Sequence, residues 1–405
     1  MGIILFDNKY LSFLPLTFTK PVAEIRMGIL TNTERWKRMS SQNISYFSLP
    51  YLSEKFPTQI ENSNVFVAGN IIPSYEFVEK VGLLKSSQAL SYKGKIIAFA
   101  CDKEVASGIV AKANNFLTNP IFENIISQSD VINLTAEINF LFDLFQKNKE
   151  VLMFDFQLLT KNRSSQKLSN TNTLIGENIF IEEGATVECS FLNAKEGPIY
   201  IGKNAEVMEG AMIRGGFSLG EGSIVKMGTK VYGATTVGLF CKIGGEVSNS
   251  ILNNYTNKGH DGFLGNSILG DWCNLGADTN TSNLKNNYGN IKVWSYAGQN
   301  FVDTKLQFHG LVMGDHSKCG INTMFNTGTV VGVSANVFGG EFPLKFVPSF
   351  SWGGGENFAT YNFEKACETA QAVMQRRGAS LNLEDKKILQ FVFEQEEKYR
   401  NNKPI

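Results

Sequence analysis

Histidine is scarce in this chain of 405 residues: His260, His309 and His316 are the only three. The first stands in the run Asn257-Lys258-Gly259-His260-Asp261-Gly262-Phe263, and a carboxylate, Glu246, lies fourteen residues before it in Gly244-Gly245-Glu246. An imidazole with an ordinary pKa near 6.5 can take a proton from an attacking nucleophile around neutrality. A carboxylate beside it orients the ring and stabilises its cation. Backbone N–H groups at a sharp corner can polarise a carbonyl under attack. Two plainer readings compete. His260 is a corner residue bonded to backbone, or all three histidines bind zinc together; the long stretch between His260 and His309 weighs against the zinc reading.

The element that carries His260 is written in a spacing of six. Ile201, Val207, Ile213, Leu219, Val225, Val231, Val237 and Ile243 recur at every sixth position. Ile175, Ile181 and Val187 precede them, Phe263, Leu269 and Leu275 resume the register, and Met313, Cys319, Phe325, Val331 and Val337 close it. Four residues after each, the side chain is usually small, as at Ala205, Ser223, Thr229, Cys241 and Ser317. A period of six is neither helical nor alternating; it is the hexapeptide signature of a parallel β-helix. The aliphatic residue points inward, the small one fits the corner, and glycine tolerates the backbone there. Three hexapeptides make a triangular coil, which is stable only in a stack. Two stretches break the register, near 192–199 and at 281–309. Loops leaving a regular stack usually carry function or a subunit contact.

The remaining segments read differently. Residues 1–160 mix short strands (Gly2 to Phe6, Val65 to Ala68, Ile96 to Ala100, Val151 to Phe154) with helical spacing from Gly28 to Met39 and from Ala136 to Phe145. Such alternation predicts an α/β sandwich on a largely parallel sheet. Residues 161–173 are polar and predict a linker, 174–348 the β-helix, and 349–405 a helical segment. In that last segment Asn362 to Arg377 reads as one helix, capped by Asn362 and stopped by Gly378, and Leu383 to Tyr399 as a second. These helices would cap the open end of the stack or bind a partner.

Bulk composition narrows the function. Thirty-eight basic residues balance 38 acidic ones with no basic run, which argues against nucleic acid. Six dispersed cysteines without a CxxC pair read as reduced thiols of a cytoplasmic protein. The opening MGIILFDN lacks the basic region and cleavage site of a secretion signal, and no stretch is long enough to span a bilayer, so no membrane is expected.

From Lys258 and His260 through Gly265 to Asn274-Leu275-Gly276-Ala277, the sequence resembles the acetyltransferase half of the bifunctional enzymes that make UDP-N-acetylglucosamine. That resemblance implies His260 as general base and Glu246 as its assisting carboxylate. It implies Asn274 and Asn283 as sugar contacts, Lys230 as a phosphate contact, and Ala277 and Ser317 on the acetyl-CoA side. Ser248 and Phe263 stand where that family has Lys and Tyr, and Lys285 or Lys258 would substitute. It further implies a homotrimer, with acetyl-CoA in the groove between subunits.

Near the start, Leu14-Pro15-Leu16-Thr17-Phe18-Thr19-Lys20-Pro21-Val22-Ala23-Glu24-Ile25-Arg26-Met27-Gly28 resembles a divergent branch of the sugar nucleotidyltransferases, in which this stretch replaces a glycine-rich loop. Asp155-Phe156, Arg163-x-x-Gln166 and Ser169-Asn170-Thr171-Asn172 resemble the same branch at its exit into the β-helix. The resemblance implies attack of a sugar 1-phosphate on the α-phosphate of UTP. Lys20 and Arg26 would hold phosphate, and Asp102 or Asp155 would hold Mg²⁺. A structural Lys20–Glu24 ion pair is the plainer reading. The expected function is acetylation of glucosamine 1-phosphate, then its uridylylation. The rivals are an acetyltransferase for another amino sugar with a silent N-terminal domain, and a non-enzymatic trimeric scaffold that binds sugar nucleotides.

Overall fold

The computed structural model describes residues 1–112, 127–131 and 133–401, which form two compact units. The first comprises Met1–Phe13, Thr19–Ile25 and Leu30–Leu141, and the second Leu14–Phe18, Arg26–Ile29 and Phe142–Ile405.

In the first unit the apolar run Gly2–Phe6 forms a buried strand in a six-stranded sheet. The order across it is Asn43–Phe47, Gly2–Phe6, Ser63–Ala68, Lys95–Asp102, Gln88–Tyr92, Ser127–Asp130. Gly2–Phe6 runs parallel to both neighbours, but Lys95–Asp102 is antiparallel to the strands on either side. The sheet is therefore mixed, not largely parallel. The cause is local: Lys93 and Gly94 both take positive φ (50° and 75°), a two-residue turn that folds the chain straight back. The predicted helix starts later than Gly28, at Asn32, where Thr31 and Glu34 make a reciprocal capping box. Its Trp36 is buried edge-on against Phe77. The helical spacing from Ala136 to Phe145 resolves into a short strand, Ala136–Glu137, and a helix, Leu141–Gln146.

The second unit is a parallel β-solenoid of about ten turns, of the left-handed β-helix class. Its three walls hold six, nine and ten strands. The inward residues form continuous columns, for example Val187, Val207, Val225 and Ile243. One corner repeats in every coil at Asn204, Gly222, Phe240, Tyr255, Trp272, His316, Ser334 and Phe350, all at positive φ. Non-glycine residues pay for this conformation. Stacking repays part of it in a ladder of Phe240, Tyr255, Trp272 and His316, whose middle step is 4.0 Å.

The six-residue register fails after Ile243. The coil that holds the 192–199 interruption takes 20 or 21 residues from one rung to the next, the coils above it take 18, as from Ile213 to Val231, but Val231 to Val247 takes 16 and Ile243 to Lys258 only 15. The inward residues become Val247, Leu252, Lys258 and Leu264. Phe263, assigned inward by spacing, is half-buried outside, and Leu264 pairs with Val247 in the core. The insertion at 281–309 leaves the stack, forms an antiparallel hairpin of Lys292–Ser295 and Asn300–Asp303, and returns at Val312–Met313. The stack closes with Ser351–Gly354 and its antiparallel partner Asn357–Thr360.

Val151 to Phe154, read as a strand, lies inside the helix Asn148–Thr160. Val151, Leu152, Phe156 and Leu159 bury one helical face, a period invisible in four apolar residues alone. Residues Ser165 and Gln166 are tied to the first coils by backbone and side-chain bonds to Ile181, Ala185 and Gly184. The helix Phe363–Gln375 is capped by Asn362, and Gly378 sits at φ 71° after it, as the sequence predicts. The next helix stops at Gln395 rather than running to Tyr399. There Glu396 turns inward, 1% exposed, and its Oε2 accepts bonds from Tyr296 and from the N–H and hydroxyl of Ser349.

Candidate active sites

The shortened coils build the corner that carries His260. Lys258 follows Ile243 in an inward column, so a lysine occupies a core position. Its ammonium turns back and donates to the carbonyl oxygens of His260 (2.6 Å) and Asp261 (3.1 Å). Burial pushes this lysine down to about 8. Gly244 lies directly beneath: a Cβ there would meet the Gly259 carbonyl at 2.8 Å and the His260 nitrogen at 3.0 Å. The corner is thus gripped from inside and from below, while the His260 side chain is exposed.

On the adjoining wall Lys230, Glu246 and Phe263 are register partners on successive rungs. The Glu246 N–H donates to the Gly262 carbonyl at 3.1 Å, which joins this rung to the His260 corner. Tyr232 donates to Glu246 Oε1 at 2.5 Å. Desolvation and the neighbouring carboxylate push this tyrosine up to about 12. Asn280 accepts from the Phe263 N–H, and Asn283 donates to Asn266 at 2.8 Å. Tyr232 and Asn280 escaped sequence reasoning, and Lys258, expected only as a substitute phosphate contact, sits inward.

The other expected residues lie further out. Asn274 is on the neighbouring wall, in register with Asn257, which accepts from Arg377 at 3.2 Å. Ala277 turns the corner one coil beyond His260, and its carbonyl accepts from Asn322. Ser317 is fully buried; its hydroxyl donates to Gly332 and accepts from Ala335. Lys285 donates to the Asn290 carbonyl. The histidines are not gathered: His309 is buried edge-on to Phe145, and His316 stacks on Trp272.

The first unit holds a different site, at the carboxyl ends of its three parallel strands. Asp7 follows Gly2–Phe6, Ser48 follows Asn43–Phe47, and Asn70 comes two residues after Ser63–Ala68. Register pairing puts these ends side by side, and the crevice outside such ends is where open α/β sheets bind ligands. Asp7 is 1% exposed; its Oδ1 accepts from the Val22 N–H at 2.8 Å. Asp7 Oδ2, Asn8 Oδ1, Ser48 Oγ and Asn70 Oδ1 are buried without a hydrogen-bond partner among the described residues. Buried polar atoms are seldom left so. Desolvation drives the Asp7 carboxyl up to about 8. Lys20 is buried in the same unit.

Arg26 and Asp155 serve the second unit. Arg26 donates from its backbone to Asn253, from Nε to Asn254 (3.3 Å) and from Nη1 to the Ile29 carbonyl (2.6 Å). Asp155 accepts from the Ile29 N–H, and Asn148 from the Gly28 N–H; Ser218 and Thr236 donate to the Gly28 carbonyl. These bonds dock residues 26–29 on the solenoid wall. Asp102 is an exposed helix cap, accepting from Val105, and belongs to the other unit. No three His, Cys, Asp or Glu gather as metal ligands among the described residues. No helix among them is long and apolar enough to cross a membrane.

Residues 3–164 match the sugar nucleotidyl transferase family. The chain is 28% identical over 185 residues to the bifunctional protein GlmU of Synechococcus elongatus, covering 44% of this chain and 33% of that protein. It is 37% identical over 87 residues to the bifunctional protein GlmU of Methanocaldococcus jannaschii, covering 22% and 21%. The chain thus spans at most about a third of the length of these two relatives. The polySia specific acetyltransferase NeuO shares 11% identity over 48% of this chain and 88% of that one, with a TM-score of 0.25. With residues 3–164 matching the sugar nucleotidyl transferase family and a left-handed β-helix after them, the chain is similar to the bifunctional GlmU proteins as a divergent, GlmU-like protein.

Proposed function

We propose that residues 174–348 transfer the acetyl group of acetyl-CoA to glucosamine 1-phosphate, and that residues 1–160 join the product to UTP with release of pyrophosphate. The observation that carries the first half is the exposed His260 on a corner locked by Lys258 and bonded to the Glu246 rung. In this reading the sugar amine attacks the thioester carbonyl and a C–N bond forms. His260 takes the proton leaving the amine, the C–S bond breaks, and the thiolate of coenzyme A leaves and is protonated. Glu246 stabilises the imidazolium. Backbone N–H groups at the corner of Ala277 face the oxyanion. Lys230 meets the sugar phosphate, and Asn283 and Asn274 meet the hydroxyls. Ser317, whose hydroxyl is spent within the corner, offers only its place in the wall.

For the second half the crevice of Asp7, Asn8, Ser48 and Asn70 is the nucleotide site, with Lys20 as its cation. Arg26 bonds instead to Asn253, Asn254 and the Ile29 carbonyl. A divalent cation arriving with the nucleotide would neutralise phosphate charge, and Asp7 is the carboxylate the crevice offers to hold it. The missing glycine-rich loop and the engagement of Arg26 favour the rival reading of a silent N-terminal domain. The exposed Phe191 and Met212, on the same wall as Lys230 and Glu246, support packing of further copies there as a homotrimer. Six cysteines, none of them in a disulfide among the described residues, support a cytoplasmic location.

The test is two assays on one preparation. Acetyl-CoA with glucosamine 1-phosphate should release free thiol, and UTP with N-acetylglucosamine 1-phosphate should release pyrophosphate. Thiol without pyrophosphate selects the silent domain; neither product, with saturable sugar-nucleotide binding, selects the scaffold.

A further inference from the structure

Near the far end of the β-helix a cavity of about 930 Å³ opens between the hairpin of Lys292–Ser295 and Asn300–Asp303, the last coils, and the closing helix Glu397–Asn401. None of the residues assigned to acetyl transfer lines it. Along the wall it shares with the His260 coil, Ser351–Gly354 is four strands beyond Asn257–Lys258. At about 4.8 Å per strand that is about 19 Å.

The walls are aromatic. Trp294 stacks on Phe346 at 4.3 Å, and Trp352 meets Phe338 edge-on at 5.4 Å. Trp352 remains 40% exposed beside this space. Two cations line it, Lys345 and Arg400, against one carboxylate, the exposed Glu356. Arg400 donates from its terminal nitrogens to the Ser349 and Phe393 carbonyls. Its Nε, like the indole nitrogen of Trp294, is buried without a hydrogen-bond partner among the described residues. The surplus of positive charge among the lining residues calls for an acceptor with negative charge. Aromatic walls call for a planar ring, and the volume is that of a small-molecule site.

We propose that this cavity is a second binding site, for a planar aromatic molecule that bears a carboxylate or a phosphate. Lys345 and Arg400 meet the anion, and Trp294 and Trp352 hold the ring.

Isothermal titration of the full chain with 2-naphthoate, 2-naphthyl phosphate and the uncharged methyl 2-naphthoate tests this. One anion per chain is expected to bind, at least about tenfold tighter than the ester, and the better of the two anions identifies the head group. Lys345→Met and Trp352→Ala, checked for unchanged melting, should each weaken that anion about tenfold. His260→Ala should leave it unchanged, and excess acetyl-CoA should not displace it. Equal binding of the ester, no binding of either anion, indifference to both variants, or displacement by acetyl-CoA would each overturn the proposal. Binding that survives a failure of the acetyl-transfer assay leaves it standing.

Discussion

The ammonium of Lys258 donates to the carbonyl oxygen of His260 at 2.6 Å from inside the β-helix core. A lysine at an inward position is costly, because its charge is taken out of water. Here the charge is spent on the backbone of the corner that presents His260. Lys258→Met, which fills a similar volume, should cost about tenfold in kcat with KM for acetyl-CoA little changed, since only the orientation of the base is lost. Steady-state kinetics of the variant read this.

The same pair predicts a pH signature. The folded lysine titrates at about 8, below its ordinary 10.5, so the unfolded chain holds the proton more tightly between those values. Its burial penalty is full below pH 8 and is relieved as the pH climbs towards 10.5, so stability should rise through that window. Melting curves of wild type minus Lys258→Met should show the rise, and a flat difference would contradict it.

Asp7 predicts the opposite slope. Its folded carboxyl titrates at about 8 against an ordinary 3.8, so the native state keeps a proton that the unfolded chain loses. Stability should fall as the pH rises from about 4 to about 8, then level off. Asp7→Asn should remove that slope and melt higher than wild type at pH 8. If Asp7 serves the nucleotide, the variant should also lose at least about tenfold in pyrophosphate release. Thermal melts from pH 4 to 9 and the UTP assay separate the two effects.

Arg26 holds structure. Arg26→Ala removes bonds to Asn254 and the Ile29 carbonyl and should destabilise the chain by about 2–3 kcal/mol. Chemical denaturation should show that loss, with UTP affinity unchanged where the variant remains folded.

Met212, 52% exposed on the wall of Lys230 and Glu246, is the place to test assembly. Met212→Arg should convert a trimer to monomers in light scattering, because a charge would be buried unpaired at the contact.

The β-helix was legible because its inward residues recur every sixth position and tolerate few exceptions. It became illegible between Ile243 and Leu264, where the coils lose two or three residues and the spacing lands on Phe263 although Leu264 is the core residue, and it holds again from Leu269 and Leu275 to Val337. His260 stood out by scarcity; Lys258 was named only as a stand-in phosphate contact, and its inward place was hidden because it lies 15 residues after Ile243, off the six-residue spacing. Asp7, Ser48 and Asn70 are far apart in sequence and meet only once the order of three parallel strands is known. Arg26 shows a further limit: its bonds to Asn254 and the Ile29 carbonyl join residues far apart in sequence or within a turn, and no spacing announces them.

The central claim is that His260 is the base for acetyl transfer. The most direct measurement is thiol release from acetyl-CoA with glucosamine 1-phosphate, in wild type and in His260→Ala, with melting temperature and oligomeric state checked for both. The account predicts saturable turnover in the wild type and a loss of at least about 100-fold in the variant. Equal turnover in both proteins, or none in the wild type, would contradict it.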